Sequence, residues 1–452
     1  MQSTITLTIT TGKLSGKQYI FDSRTTCLIG RNDDCYLSIP DEFDKRVSRY
    51  HCLLDINPPE IRIRDLGSLN GTYINNTKIG GRQSHQNAEE AAKLNFPEYD
   101  LQDSDHITLG DTVLRVNIEI PQPVNQPPDI KTPEFVKPLE VKAKTKLFDV
   151  IQKLIKLAIG GERNLKALLN YQIIKSIGKG GFGEVYLAQH SQTGKFVALK
   201  VMLPAVAEDD KSVQMFLREI ENLKALKHQN VVEFFDYGYA ENLFFLVMEY
   251  YEGGNVDDLM QQLGGKLPVD MALGIIFQVL DGLIYTHNAE IPYVKLADGG
   301  YKPGKGLVHR DLKPSNIFLS NIDGKLTAKI GDYGLAKSFD LAGLSGQTFT
   351  KMIGGTPGFI PRQQVLKFKN SQPDVDVWAS AACLYNMLTG YFPRNFTSDP
   401  FMDVLENDPV PILQRNGNIP QKLAQVIDLA LIEKPQIYFD SAEKFKKALI
   451  LN

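Results

Sequence analysis

The stretch "VHRDLKPSNIF", Val308–Phe318, crowds His309, Arg310, Asp311, Lys313 and Asn316 into eight positions between apolar flanks. Acidic, basic and carboxamide groups packed this closely suit proton transfer and charge neutralisation. A surface loop could hold the same residues by accident, so the rest of the chain has to decide.

Length and composition set the bounds. A chain of 452 residues allows roughly two to three domains. At 43% hydrophobic and 23% charged residues it has the make-up of ordinary globular folds with sizeable cores. A net charge of −3 gives no general case for a nucleic acid or an anionic membrane surface as partner. Cys27, Cys35, Cys52 and Cys383 form no CxxC pair and read as buried reduced thiols rather than zinc ligands or disulfides. The opening "MQSTITLTITTGKLSG" lacks a basic segment followed by an apolar core, so no secretory signal is expected. No apolar run is expected to span a membrane, because the longest, "DMALGIIFQVLDGLIYTH", is broken by Asp281. The expectation is a reduced, cytoplasmic protein without a transmembrane segment.

The chain is organised in blocks. Residues 1–120 read as short strands: "TITLTIT" and "IRIRD" alternate, "TVLRVNIEI" closes the series, and "TTGKLSG", "NPPE", "GSLNG" and "INNT" supply turns. That pattern predicts an all-β sandwich, interrupted by a polar insertion over 80–105. Residues 121–145 contain six prolines and predict an extended linker. Over 146–170, Leu147, Val150, Ile151, Leu154, Ile155 and Ala158 recur at the spacing of an amphipathic helix. From Tyr171 five strands surround one helix and helices follow, which predicts a two-lobed α+β domain over 171–450, with lobes at 171–250 and 251–450.

Four motifs surround the opening stretch. Gly178, Gly180 and Gly183 form a G-x-G-x-x-G array in "IGKGGFGEVYLA", with strand residues on both sides. A dinucleotide site would need a helix after the glycines; a glycine hairpin instead brings backbone amides close to phosphates. Lys200 lies in the apolar strand "FVALK" and needs a negative partner. Glu219 lies three residues from Phe216 and four from Leu223, on the inward side of the next helix, so a Lys200–Glu219 pair is expected. Asp311 can then accept a hydroxyl proton, Lys313 can hold a moving phosphoryl group, and Asn316 can ligate Mg²⁺. Asp332, in "KIGDYGLA", is placed for the other metal contacts.

Together these motifs resemble a eukaryotic-like serine/threonine protein kinase of the Hanks type. The resemblance implies ATP and Mg²⁺ as cofactors, and protein substrates phosphorylated on Ser or Thr. It implies that Ile177, Val185, Ala198 and the glycines line the ATP site, with Met248 as gatekeeper and Glu249 and Tyr251 as hinge. It implies that Arg310 awaits an activation-loop phosphate, with Thr348 and Thr350 as acceptors and Thr356 as a structural hydroxyl. Asp376 would anchor the catalytic loop and Trp378 would fill the core. Tyr333 stands where Phe is usual, and an insertion over 288–306 is expected to be an inert surface hairpin. Gln363 stands where Glu is usual, and Tyr438 where its Arg partner is usual, so the two are expected to meet through packing or a neutral hydrogen bond.

In the β region, "LIGR", "VSRYHCLL" and "LGSLNGTYIN" set Arg31, Ser48, Arg49 and Asn70 where they could converge on one anion. His51 reads as a scaffold residue tying loops together. These motifs resemble a forkhead-associated (FHA) domain. The resemblance implies phosphothreonine-peptide binding, with phosphate held by Arg31, Ser48 and Arg49 and peptide backbone by Asn70. The expected protein is an FHA–kinase fusion whose reader could bind its own activation loop. The alternative is a catalytically inactive kinase fold serving as a phosphopeptide-binding adaptor.

Overall fold

The computed structural model describes residues 3–22, 25–82, 96–120, 168–180, 183–202, 210–240, 243–295, 301–322, 324–333, 357–366, 371–397 and 399–451. The expected linker and almost all of the 146–170 helix lie outside them, as do Thr348, Thr350 and Thr356. The chain forms two compact units, residues 1–123 with 347–452, and residues 124–346. The 171–450 stretch therefore contributes to both.

Among the described residues, eleven strands open the first unit: β1 (Thr4–Thr11), β2 (Gln18–Phe21), β3 (Thr25–Gly30), β4 (Leu37–Ser38), β5 (Cys52–Asn57), β6 (Glu60–Asp65), β7 (Thr72–Ile74), β8 (Thr77–Lys78), β9 (Tyr99–Asp100), β10 (His106–Leu109) and β11 (Thr112–Glu119). They form two sheets, in the orders β2-β1-β11-β10-β7-β8 and β4-β3-β5-β6-β9. The alternation in β1 buries Ile5, Leu7 and Ile9, and its antiparallel register sets Leu7 opposite Val116 and Ile9 opposite Leu114. Cys27, Ile29, Cys52, Leu54, Ile61 and Ile63 come from the other sheet to the same core. Cys27, Cys35, Cys52 and Cys383 are all free and buried, and burial pushes the Cys35 thiol up to about 12.

The second unit carries a five-stranded antiparallel sheet in the order β12-β13-β14-β16-β15. Its members are β12 (Tyr171–Gly180), β13 (Gly183–His190), β14 (Phe196–Met202), β15 (Phe234–Ala240) and β16 (Leu243–Glu249), with helix α1 (Asp210–Lys224) between β14 and β15. Phe216, Ile220 and Leu223 are the buried face of α1. Then come α2 (Val256–Gln262), α3 (Val269–Asn288) and two hairpins, β17 (Glu290–Lys295) with β18 (Tyr301–Lys305), and β19 (Ile317–Ile322) with β20 (Lys325–Ile330). Helix α3 corrects one expectation: despite Asp281, it is long and apolar enough to cross a membrane by length and composition, with mean hydropathy 1.5. Core helices pass the same test, and Ile275, Ile276, Val279, Leu280 and Leu283 of α3 are all buried.

The insertion is not a free hairpin. Asn222 of α1, which is buried, donates from Nδ2 to the Tyr293 carbonyl at 2.9 Å, and its Oδ1 accepts the Tyr293 amide at 2.9 Å. One carboxamide thus satisfies both backbone groups of a residue in β17 and fastens the insertion to α1.

Helices α4 (Arg362–Leu366), α5 (Asp374–Thr389), α6 (Pro400–Glu406), α7 (Ile412–Arg415), α8 (Gln421–Ala430) and α9 (Ala442–Ile450) complete the first unit. Every residue from Val375 to Thr389 in α5 is buried. Trp378 fills the core as expected and donates from Nε1 to the Leu431 carbonyl at 3.0 Å. Asp376 is likewise fully buried.

Among the described residues no hydrogen bond joins Gln363 to Tyr438. Gln363 donates from Nε2 to the Glu433 carbonyl, whereas the Tyr438 side chain is 54% exposed and lies edge-on to Phe439. A charged pair is present after all: Arg394 binds Glu433, both almost fully buried, and stacks 4.6 Å over the Trp378 ring. Arg394 also donates to the carbonyls of Asn407 and Ile360, and Glu433 accepts the Arg362 amide at 2.8 Å. The acid comes two positions before Pro435 and the base from the segment after α5, so a search at the usual positions missed both. Breaking such a pair strands a buried charge. Glu433→Ala should therefore cost about 3–5 kcal/mol in denaturant unfolding, and adding Arg394→Met should recover part of the loss. A single-variant loss within experimental error would refute the pairing.

Candidate functional site

In the second unit the 308–318 loop is closed by its own polar groups. His309 is fully buried. Its Nδ1 accepts the Asp311 amide at 3.2 Å, so Nε2 carries the proton and donates to the Gly331 carbonyl at 3.0 Å. The Gly331 amide donates in turn to the Asn316 carbonyl at 2.9 Å. These bonds bring the loop against the end of β20 and the Asp332 turn, where Asp332 adopts a left-handed φ of 53°.

Asp311, Lys313 and Asn316 do come together. Lys313 Nζ lies 3.2 Å from Asp311 Oδ2. Asn316 Nδ2 donates to the same oxygen at 3.1 Å and to the Asp311 carbonyl at 2.8 Å, which leaves Asn316 Oδ1 as an acceptor. Tyr333 is buried, its ring centroid lies 4.5 Å from that of His309, and its hydroxyl donates to Thr286 Oγ1 at 3.1 Å. The extra hydroxyl therefore has a partner.

The expected Lys200–Glu219 pair does not form. Lys200 Nζ binds Asp332 Oδ1 at 2.9 Å. Burial raises the Glu219 carboxyl above its usual range, opposed by the charge of Arg310 and a hydrogen bond from Asn222. Periodicity placed Glu219 near the buried face of α1, but rotation about the helix axis decides which cation it meets. Asn222, one turn on, ties α1 to the β17 backbone.

The remaining predicted residues lie on β12, β13, β14 and β16 or, for Tyr251, just after β16. Val185 is opposite Lys200 in the β13–β14 register, and Ala198 is opposite Met248 in the β14–β16 register. Ala198 and Met248 are buried, whereas Ile177 is 39% exposed. The fold itself demands Gly183, since a Cβ there would lie 1.8 Å from the Val201 carbonyl oxygen; at Gly178 the nearest atom would be an unstrained 3.9 Å away. Gly180 ends β12, and residues 181–182 lie outside the described set. Glu249 follows Met248 and receives Lys329 Nζ at 2.9 Å, and Lys329 lies 5.5 Å over the Tyr251 ring.

The first unit gathers Arg31, Ser48, Arg49 and Asn70 around one pocket. Gly30 makes this possible: a Cβ there would meet the Arg49 carbonyl oxygen at 2.1 Å, and the Arg31 amide bonds the Ser48 carbonyl at 3.0 Å. His51, fully buried, accepts the Ser48 amide through Nδ1 at 3.1 Å and faces the Gly71 carbonyl through Nε2 at 3.2 Å. Burial lowers its pKa, so the ring is a neutral tie between loops. Ser48 Oγ accepts the Leu69 amide at 2.9 Å, and Asn70 Nδ2 donates to the Arg46 carbonyl at 2.7 Å. Arg31 pairs with Asp41 at 2.7 Å and Arg46 with Asp111. Arg46 and Arg82 also line the pocket and were missed; the cluster "KRVSR" was the available signal for Arg46.

Comparison with known proteins places the chain in a family. The protein kinase domain family matches residues 171–425, and the FHA domain family matches residues 27–110. The chain belongs to the protein kinase family and carries an N-terminal FHA domain. It is 33% identical over 225 residues to a carbon catabolite-derepressing protein kinase of Candida albicans, covering 49% of this chain and 32% of that protein. It is 29% identical over 288 residues to the serine/threonine-protein kinase PknB of Mycobacterium leprae, covering 62% and 42%. The chain thus spans less than half the length of these relatives. The solved kinase domain of PknI from Mycobacterium tuberculosis is 25% identical, with a TM-score of 0.46, covering 62% of this chain and 96% of that one.

The Lys200–Asp332 pair generates a pH prediction. Burial would raise the Asp332 carboxyl, but the charge of Lys200 and its hydrogen bond outweigh burial and hold it below its usual range. A depressed acid contributes stability above its unfolded pKa of about 3.9 and loses it as pH falls through the folded value. Urea unfolding of the parent and Lys200→Met should therefore differ most near neutral pH, with the gap closing below about pH 4. A gap that persists unchanged well below about pH 4 would show that the contact is not ionic.

Proposed function

We propose that the chain is an ATP- and Mg²⁺-dependent protein serine/threonine kinase whose FHA domain binds phosphothreonine peptides. The observation that carries the reading is the convergence of Lys313 and Asn316 on the Asp311 carboxylate, beside the turn that holds Asp332 and Lys200. Asp311 accepts the proton of the attacking Ser or Thr hydroxyl. Lys313, already within ion-pair distance of Asp311, offsets negative charge on the transferring group. Lys200 orients phosphate oxygens from β14. The backbone of Glu249 and Tyr251 faces adenine, with Met248, Ala198, Val185 and Ile177 forming the apolar walls and Gly178, Gly180 and Gly183 the cover.

The donor set fits Mg²⁺. Asn316 Oδ1 and the Asp332 carboxylate are hard oxygen ligands, and this ion takes only one or two protein carboxylates beside water and phosphates. When bound, the ion would neutralise charge on the phosphoryl oxygens. Two carboxylates, Asp311 and Asp332, hold the ammonium groups of Lys313 and Lys200 in place.

In the FHA domain, Arg31, Ser48 and Arg49 take the phosphate and Asn70 the peptide backbone. A phosphorylated Thr348 or Thr350 segment is one ligand, reached in cis at high effective concentration or in trans. The free, buried cysteines are compatible with a reducing, cytoplasmic setting.

Incubation of the full chain with labelled ATP tests the catalytic claim. Mg²⁺-dependent autophosphorylation is expected. Asp311→Ala should lower its rate by about 10²–10⁴-fold, with ATP affinity retained. Equal incorporation by parent and variant would remove Asp311 from the mechanism. No incorporation by the parent, with phosphopeptide binding intact, would make the chain an inactive adaptor.

A further inference from the structure

The phosphate site of the FHA domain already faces a carboxylate from the C-terminal part of the same unit. Arg49 Nη2 lies 3.3 Å from Glu406 Oε1, at the last residue of α6. Met402 and Glu406 of this helix line the same pocket as Arg31, Ser48, Arg49 and Asn70. An acidic side chain thus stands 3.3 Å from an arginine expected to hold a phosphoryl oxygen.

Two further arginine contacts join this C-terminal part of the chain to the strands. Arg64, on β6, is only 6% exposed; its Nη1 lies 3.6 Å from Asp399 Oδ2 and its guanidinium 5.8 Å over the Phe401 ring. Asp399 is also the N-cap of α6, accepting the amides of Phe401 and Met402, so one carboxylate starts the helix and anchors it. Arg362, on α4, binds Asp34 Oδ2 at 2.6 Å and lies 5.5 Å over the ring of Tyr50, the residue after Arg49. Buried anchors flank the site, whereas the pair at the site is partly exposed, with Arg49 at 57% and Glu406 at 28%. That division suits a contact made to be exchanged: an exposed single pair is weak, and a phosphothreonine carries nearly twice the charge of a carboxylate, with three acceptor oxygens.

We propose that α6 is the resting occupant of the FHA phosphate site, with the Glu406 carboxylate in the place of a phosphoryl group, so that a phosphothreonine ligand binds by displacing it. This rests on the reading of residues 1–120 as a phosphothreonine reader. An intramolecular occupant competes at an effective concentration no dilution reduces, and the apparent affinity of a ligand falls by the fraction of chains that are open.

The test is fluorescence-anisotropy titration of the full chain with a degenerate phosphothreonine peptide library and its unphosphorylated counterpart. The proteins are the parent, Glu406→Ala, the isosteric Glu406→Gln, and Glu406→Gln combined with Arg31→Ala. For a site closed about nine-tenths of the time, both single variants should bind the phosphorylated library roughly tenfold more tightly than the parent. The Arg31→Ala combination should lose that gain. Equal affinity for parent, Glu406→Ala and Glu406→Gln, with phosphorylated peptide still preferred, overturns the cis occupancy and leaves the reader intact. No preference for phosphorylated peptide in any protein overturns the reader, and the occupancy with it. Glu406→Gln keeps the side-chain volume, so a folding defect in the alanine variant does not blur the outcome.

Discussion

His309 faces two backbone groups from different segments with its two ring nitrogens. It takes the Asp311 amide on Nδ1 and gives its Nε2 proton to the Gly331 carbonyl. In a fully buried position both backbone groups would otherwise lack partners, and each unmet group costs on the order of 1–3 kcal/mol. Only one neutral tautomer serves both, so ring orientation and proton position are fixed together. Everything proposed for catalysis hangs on this clasp. It sets Asp311 where Lys313 and Asn316 can reach it, and brings the Asn316 backbone to Gly331, one residue before Asp332.

The FHA domain uses the same device. His51 ties the Ser48 amide to the Gly71 carbonyl, positioning Ser48 and Arg49 on one side and the Asn70 turn on the other. In both places a buried imidazole builds a loop, and charged residues stand beside it. Charges in both loops are matched by carboxylates: Lys200 by Asp332, Lys313 by Asp311, Arg31 by Asp41 and Arg49 by Glu406. A matched cation is held in place and neutralised at once, and a more highly charged phosphate can replace the carboxylate in the match.

The sequence carried the parts of this that depend on local pattern. The alternation of Ile5, Leu7 and Ile9, the apolar face of α1 and the spacing from His309 to Asn316 foretold the strands, the helix and the gathering of polar groups in the loop. What it did not carry were relations set by rotation or by distant partners. Glu219 was read as the partner of Lys200, but Lys200 binds Asp332 from a segment far along the chain, and the positive charge acting on Glu219 is that of Arg310. The Arg394–Glu433 pair was missed because both partners sit away from the positions searched, while Gln363 found a backbone carbonyl. The insertion over 288–306 looked inert because the residue that fastens it, Asn222, lies about 70 positions earlier, on a helix read for its apolar face alone. Nothing local in "DPFMDVLEN" announces that Glu406 faces Arg49.

The central claim is that a buried imidazole, acting through Asp311, holds the loop in a state able to transfer a phosphoryl group. Steady-state kinetics of His309→Ala test it most directly, because His309 itself touches neither nucleotide nor substrate in this account. Loss of the clasp should lower kcat by about 10²-fold, the cost of misplacing a catalytic group by roughly an ångström, while KM for ATP stays close to that of the parent. An unchanged kcat, or a loss confined to KM, would contradict the account.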